Sequence, residues 1–357
     1  ILTQAGLKVG LHVTPYLQSA TEKIWVADRF VSAQDFLTLV DWVMPVAVPR
    51  VHPDTRASIH GMASVTIALE AFKREKVDVM VFEAGCGGRY DLTSFVETAV
   101  SVITNIGLDH VVSLGPTIRD IAWHKAGVAR AGAPLITGAS GEALGPIQTE
   151  AEAVGAPLHV VSNEDSAMEH NRVLAVKAAR EAASILGVSL DDDTIRSGLA
   201  RVRLAGRWEV MPGSGPRTVI DGAHNAEKLN FAVNAAQDEA REGLKVGVVG
   251  FLGTKAKPDL VRPLAGRFDH IIVTEPQVYG KKPGPALLAA QLLSHAGYAP
   301  IVEPDPFTAL DRAVETAGPD GNVLVAGSFY LVGELRERWF PKERVVPERT
   351  SWPETGG

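Results

Sequence analysis

A single cysteine, Cys86, in 357 residues excludes an intramolecular disulfide and fits a reducing compartment, so a cytoplasmic location is expected. Apolar runs long enough to span a bilayer are missing: the most hydrophobic early stretch, VDWVMPVAV, is broken by Asp41 and Pro45. The opening ILTQAGLKVGLHV lacks the charged start and small-residue cleavage site of a secretory signal. Long basic runs are also missing, and the net charge is -7. Neither nucleic acid nor a membrane is therefore an expected partner, and a small anionic substrate would need local positive sites. No GxGxxG opens a helix after a strand, which disfavours a nicotinamide-dependent dehydrogenase. No GxxxxGK[ST] phosphate loop occurs anywhere in the chain, and there is no fixed-period repeat or low-complexity tract.

What is present suits a large globular chain. The length exceeds what one hydrophobic core usually serves and suggests about two domains of roughly 150 residues. Apolar runs bounded by glycine or acidic residues recur: VGLHV, VDVMVFEAG, AVSVITNIG, APLITG, KVGVVGFLG, HIIVTEP and VLVAGS. Continuous Val/Ile runs predict strands buried on both faces. Helical patterns such as ASVTIALEAFKREK and HNRVLAVKAAREAASILG lie between them. The alternation predicts an α/β protein with parallel sheets and crossover helices. A break is expected between Val202 and Pro216, where RLAGRWEVMPGSGPR precedes the strand RTVID. It divides the chain into domains 1–205 and 206–345, followed by a tail, 346–357, that is expected to be mobile.

Glu83 closes the strand VDVMVF and precedes Gly85, Gly87 and Gly88, which let the backbone turn and approach a ligand closely. Open parallel sheets place their sites at such carboxyl ends, and a carboxylate there is a hard oxygen ligand suited to Mg²⁺. A turn or cap role is the competing reading. His110, in ITNIGLDH, ends what reads as a neighbouring strand, so its imidazole and Glu83 are expected to converge on one cation, with Asp109 orienting a neighbour. By spacing alone Lys125, in IAWHKAGV, is a solvated helix lysine.

The runs VDVMVFEAGCGGRYDLTS and VSVITNIGLDHVVSLGPTIRDIAWHKAGVARAGAPLITG resemble the core of the folylpolyglutamate synthase/dihydrofolate synthase family, within the Mur ligase superfamily. TPYL at Thr14 followed by EKI at Glu22 is similar to that family's SPxx and ERI segment. GRWEV at Gly206, DGAHN at Asp221 and AGSFYLVGELR at Ala326 are similar to its C-terminal markers. The resemblance implies a central parallel-sheet ATPase domain, followed by a smaller Rossmann-like α/β domain, in a monomer that uses ATP and Mg²⁺. It implies that Glu83 and His110 hold the magnesium and that Lys125 is carbamylated near a second metal, these three forming the catalytic set. It further implies that Asn171 contacts adenine, that Arg207 and Asp221 approach the nucleotide, and that His224 and Asn225 continue that loop. Lys255 corresponds more loosely to a family lysine. The implied reaction joins L-glutamate to the carboxylate of a folate or dihydropteroate through an acyl phosphate.

Departures from the family pattern are specific. GTNGKGS, which would precede the helix end seen as ILTQAGLKVG, is missing; because the sequence starts at Ile1 rather than methionine, truncation is expected rather than loss. The lead into HNRVLAV is short, the family's Thr-Asn is Thr93-Ser94, and the acid of its TxFE motif is not evident around Ser58 to Met62. A non-catalytic paralogue with a partial ligand pocket is the alternative, and another Mur-type amide ligase a further one. TPYL with EKI favours the folate branch.

Overall fold

A computed structural model describes residues 1–50, 59–162, 166–253, 256–278 and 282–354. The chain divides into two compact units, Ile1–Tyr16 with Thr21–Val202, and Leu17–Ala20 with Arg203–Gly357. Among the described residues no helix is long and apolar enough to cross a membrane.

The first unit runs β1 (Val9–His12), β2 (Ile24–Val26), β3 (Arg29–Phe30), α1 (Ala33–Ala47), α2 (Ile59–Glu75), β4 (Val79–Phe82), β5 (Ser101–Ile103), α3 (Val111–Leu114), α4 (Ile118–Ala126), β6 (Leu135–Thr137), α5 (Leu144–Val154), β7 (Leu158–Val160), α6 (Ala167–Leu186) and α7 (Asp192–Ala200). Its strands form two sheets, ordered β3-β2-β1-β4 and β5-β6-β7. β1 and β4 are parallel, with His12 opposite Phe82. β2 and β3 are antiparallel additions, so the first sheet is mixed where the alternation predicts a parallel one. The second sheet is wholly parallel. Leu39, Val43, Ile67 and Phe72 of α1 and α2 cover the first sheet, and Ala122, Ala126 and Ile147 cover the second. Gly10 permits the first contact, because a Cβ there would lie 2.6 Å from the Phe72 ring. A capping box fixes the start of α4: Thr117 accepts the Asp120 N–H while the Asp120 carboxylate accepts the Thr117 N–H.

β6 is buried throughout, as a doubly covered strand should be. β4 is not: it lies at the edge of its sheet, with Met80 and Val81 44% and 43% exposed. An apolar sequence run reports the tendency of a strand to be covered, not its position in the sheet.

The second unit runs β8 (Glu209–Val210), β9 (Arg217–Ile220), α8 (Ala226–Asp238), β10 (Lys245–Val249), α9 (Pro258–Val261), β11 (His270–Val273), α10 (Ala286–His295), β12 (Ile301–Val302), α11 (Pro306–Ala317), β13 (Asn322–Ala326), α12 (Phe329–Arg336) and α13 (Lys342–Glu348). One sheet ordered β12-β11-β10-β13-β9-β8 is parallel except for β8. Its core joins Val219, Val249, Val273 and Leu324 to Leu229 and Val233 of α8 and Leu293 of α10. The tail expected to be mobile is held as far as Trp352. Ser351 is buried, and the Trp352 indole N–H donates to Glu209 Oε1 at 2.7 Å. The guanidinium groups of Arg203 and Arg336 lie over its ring, 4.7 and 5.8 Å from the centroid, so both the polar edge and the face of the indole are engaged.

Candidate active site

Glu83 follows β4 directly. Its backbone N–H donates to the His12 carbonyl at 3.0 Å, continuing the β1–β4 ladder, and its Oε2 accepts the Thr14 N–H at 2.7 Å. The end of β1 thus orients the carboxylate. Asp91 folds the loop that follows: Oδ2 accepts from the amides of Gly85 (3.0 Å) and Cys86 (3.2 Å), and Oδ1 from the amide and hydroxyl of Thr93. The glycines bring this loop against the last turn of α4. A Cβ at Gly88 would lie 2.9 Å from the Lys125 carbonyl, and the Arg89 N–H donates to the His124 carbonyl at 2.7 Å. Close approach to a helix, as well as any approach to a ligand, accounts for glycine here.

His110 does not end a strand. β5 stops at Ile103, and His110 caps the short helix α3 with φ +52° and half of its side chain exposed. Nor does β5 pair with β4, since the two belong to different sheets. The apolar run continues into Asn105–Leu108 without strand pairing, so the strand reading extends too far. Burial pushes the Cys86 thiol up, opposed by the charge of Lys125 and reinforced by Asp91 and Asp109. Among the described residues no group of three His, Cys, Asp or Glu side chains is placed to hold a metal. One or two protein ligands is the number Mg²⁺ usually takes, with water and phosphate oxygens filling its shell.

A buried polar chain behind Glu83 escaped the sequence reading. His12, 1% exposed, places Nε2 3.1 Å from Ser64 Oγ; the Lys23 ammonium donates to the same hydroxyl at 3.3 Å and lies 2.8 Å from His60 Nε2. Burial first, and then the Lys23 charge, push the His12 pKa down to about 4. The neutral imidazole leaves Nδ1 without a hydrogen-bond partner. Asn171 lies at the start of the second turn of α6, exposed, on a helix that packs on β5 and β6. Its neighbour His170 turns inward, with Nδ1 3.2 Å from the Ser162 carbonyl. Gly138 leaves room for that ring, because a Cβ there would lie 2.0 Å from Nε2.

The second unit carries the other candidates on two adjacent loops. Arg207 lies over the Phe329 ring, 4.9 Å from its centroid. Both carboxylate oxygens of Asp221 accept backbone bonds, Oδ2 from Trp208 and Oδ1 from Ala223, each at 2.8 Å. Burial raises the Asp221 pKa, while the Trp208 amide and the Arg207 charge pull it back. Asp221 therefore shapes the loops. His224 Nδ1 bonds the Gly222 carbonyl at 2.8 Å, and the Asn225 side chain caps α8 by accepting the Lys228 N–H. Lys255 lies outside the described residues, as does Ser58.

The family described as Mur ligase, glutamate ligase domain, matches residues 206–329. A probable bifunctional folylpolyglutamate synthase/dihydropteroate synthase of Haloferax volcanii is 30% identical over 383 residues, covering 98% of this chain and 44% of that protein. The chain thus spans less than half the length of its archaeal relatives. The dihydrofolate synthase/folylpolyglutamate synthase of Escherichia coli is 29% identical over 358 residues, covering 94% of this chain and 81% of the relative. Among solved structures, the Yersinia pestis bifunctional folylpolyglutamate synthase/dihydrofolate synthase complexed with AMPPNP and a Mn ion matches with a TM-score of 0.80 at 27% identity. That match covers 94% of this chain and 83% of the solved one.

Proposed function

Because the chain belongs to the folylpolyglutamate synthase/dihydrofolate synthase family, we propose that it joins L-glutamate to the carboxylate of a folate or of dihydropteroate, driven by ATP. The observation that carries this reading is the Glu83 loop: Thr14 orients its carboxylate, Asp91 folds it, and it is seated on the turn that bears Lys125.

In the proposed reaction an oxygen of the substrate carboxylate attacks the γ-phosphorus and ADP leaves, giving an acyl phosphate. The glutamate amine then attacks the acyl carbon, phosphate departs with the C–O electron pair, and the amine loses a proton. Glu83 and His110 would hold a divalent cation, Mg²⁺ in this proposal, and a carboxylate together with an imidazole suits Mn²⁺ as well. The cation's contribution when bound is to neutralise phosphate charge. Carbamylation of Lys125, addition of CO₂ to the neutral amine with loss of a proton, would replace a repelling cation by a carboxylate. Arg207 supplies positive charge for phosphate oxygens, Asn171 an amide for the base, and Asp221, His224 and Asn225 the loop beside Arg207. A monomeric, cytoplasmic enzyme accompanies this reading.

The test is an ADP-release assay with L-glutamate, Mg²⁺ or Mn²⁺, and either tetrahydrofolate or dihydropteroate. It is run on this chain and on a version extended by any upstream coding sequence. ADP release should need both the pterin substrate and glutamate, and Glu83→Gln should lower kcat by about a hundredfold. Release that ignores glutamate contradicts the proposal. No release from either protein supports the second reading, a non-catalytic family member.

A further inference from the structure

Arg207 is bracketed by two residues with left-handed backbone, Gly206 at φ +69° and Trp208 at φ +42°. A non-glycine residue there is held against a cost of about 1–3 kcal/mol, which the surroundings must over-determine. Each bracket has its amide N–H bound by a carboxylate. Trp208 donates to Asp221, and Gly206 donates to Glu209 Oε2 at 2.7 Å.

Glu209 in turn is fully engaged. Oε2 also accepts from Arg336 Nε (2.9 Å), and Oε1 accepts from Arg336 Nη2 (2.8 Å) and the Trp352 indole (2.7 Å). Arg336 has no exposed side chain, and its remaining donors reach Gln18 Oε1 and the Ser351 carbonyl. A buried ion pair of this kind is a weak source of net stability, because desolvation offsets most of the attraction; its better-attested effect is to fix one arrangement over others. The arrangement fixed here is the turn that presents Arg207 over Phe329. Phe329 itself is pressed against Gly222, where a Cβ would lie 2.3 Å away.

We propose that Glu209, Arg336 and Trp352 are positioning residues for Arg207, so that the chain's C-terminal segment sets the affinity of a site more than a hundred residues earlier in sequence. The proposal rests on the reading of Arg207 as a nucleotide-phosphate group.

The experiment measures binding of a fluorescent N-methylanthraniloyl ADP with Mn²⁺ to the full chain. Glu209→Gln and Trp352→Phe are made in the parent and in an Arg207→Ala background, and Tm is recorded for each. Trp352→Phe removes one donor to Glu209 and keeps a ring beside Arg336. Expected are a rise in Kd of about tenfold for Glu209→Gln and about threefold for Trp352→Phe in the parent, and changes below about twofold in the Arg207→Ala background. A purely structural role would lower Tm in both backgrounds without moving Kd, and equal Kd changes in both backgrounds would also overturn the proposal. Where Glu209→Gln does not fold, Trp352→Phe decides. If Arg207→Ala raises Kd and the two variants do not, the positioning proposal alone falls; if Arg207→Ala leaves Kd unchanged, the nucleotide reading of Arg207 falls and takes the device with it.

Discussion

Acidification should destabilise this protein through His12 by an amount its burial sets. The imidazole titrates near 6.5 when solvated and at about 4 in the folded chain. A base whose pKa is lowered on folding binds fewer protons folded than unfolded, so its full stability holds above pH 6.5 and is lost as pH falls toward 4. At about 1.4 kcal/mol for each tenfold change in proton affinity, the loss reaches about 3 kcal/mol at pH 4 and about 2 kcal/mol at pH 5. The groups that face the ring are Lys23, which opposes its protonation, and Asp91 and the Glu83 backbone, which favour it; Ser64 bonds the ring as well. His12→Phe keeps a ring against Phe82, 5.3 Å away between centroids, and removes the titration. At neutral pH the variant should be less stable by about 1 kcal/mol for the lost Ser64 bond. Urea unfolding of both proteins between about pH 7.5 and about pH 5 should show the variant gaining about 2 kcal/mol on the parent. A difference that stays constant with pH would refute the reasoning.

Two further substitutions test the packing around the candidate groups. Gly138→Ala puts a methyl group 2.0 Å from His170 Nε2 and 2.4 Å from the Thr104 carbonyl, so urea unfolding should show a loss of about 1–3 kcal/mol, and a neutral result would contradict the close approach. Arg336→Met leaves the Glu209 carboxylate buried beside an apolar chain and should cost about 3–5 kcal/mol by the same measurement, whereas a loss below about 1 kcal/mol would mean the pair is hydrated.

Much of this architecture is legible in the sequence because doubly covered strands write themselves as Val/Ile runs. KVGVV, HIIV and NVLVA all become central strands of the second unit. The short strands left no such signal: IWV and RF are three and two residues long, too brief for any periodicity, yet they make the first sheet mixed. The excursion of Leu17–Ala20 into the second unit is likewise silent, since four residues carry no composition shift. Glu83 and the glycine loop stand out because a carboxylate followed by clustered glycines is a local pattern, whereas Lys125 reads as an ordinary helix lysine and is singled out only by the family resemblance. The Glu209–Arg336 pair was not, because its partners are 127 residues apart and each looks like an ordinary surface charge until the chain is folded. Asp221 was noticed for its motif, but only the folded loops reveal that both its oxygens serve backbone amides. The buried link from Lys23 through Ser64 to His12 joins three segments that no single pattern spans.

Isotope transfer tests most directly the proposed activation of a substrate carboxylate by phosphorylation before glutamate attacks. Pterin substrate labelled with ¹⁸O in both carboxylate oxygens is incubated with ATP, a divalent cation and L-glutamate, and the released inorganic phosphate is examined by mass spectrometry. An acyl phosphate requires one ¹⁸O in the phosphate for every amide formed; amide formation with unlabelled phosphate would contradict the account.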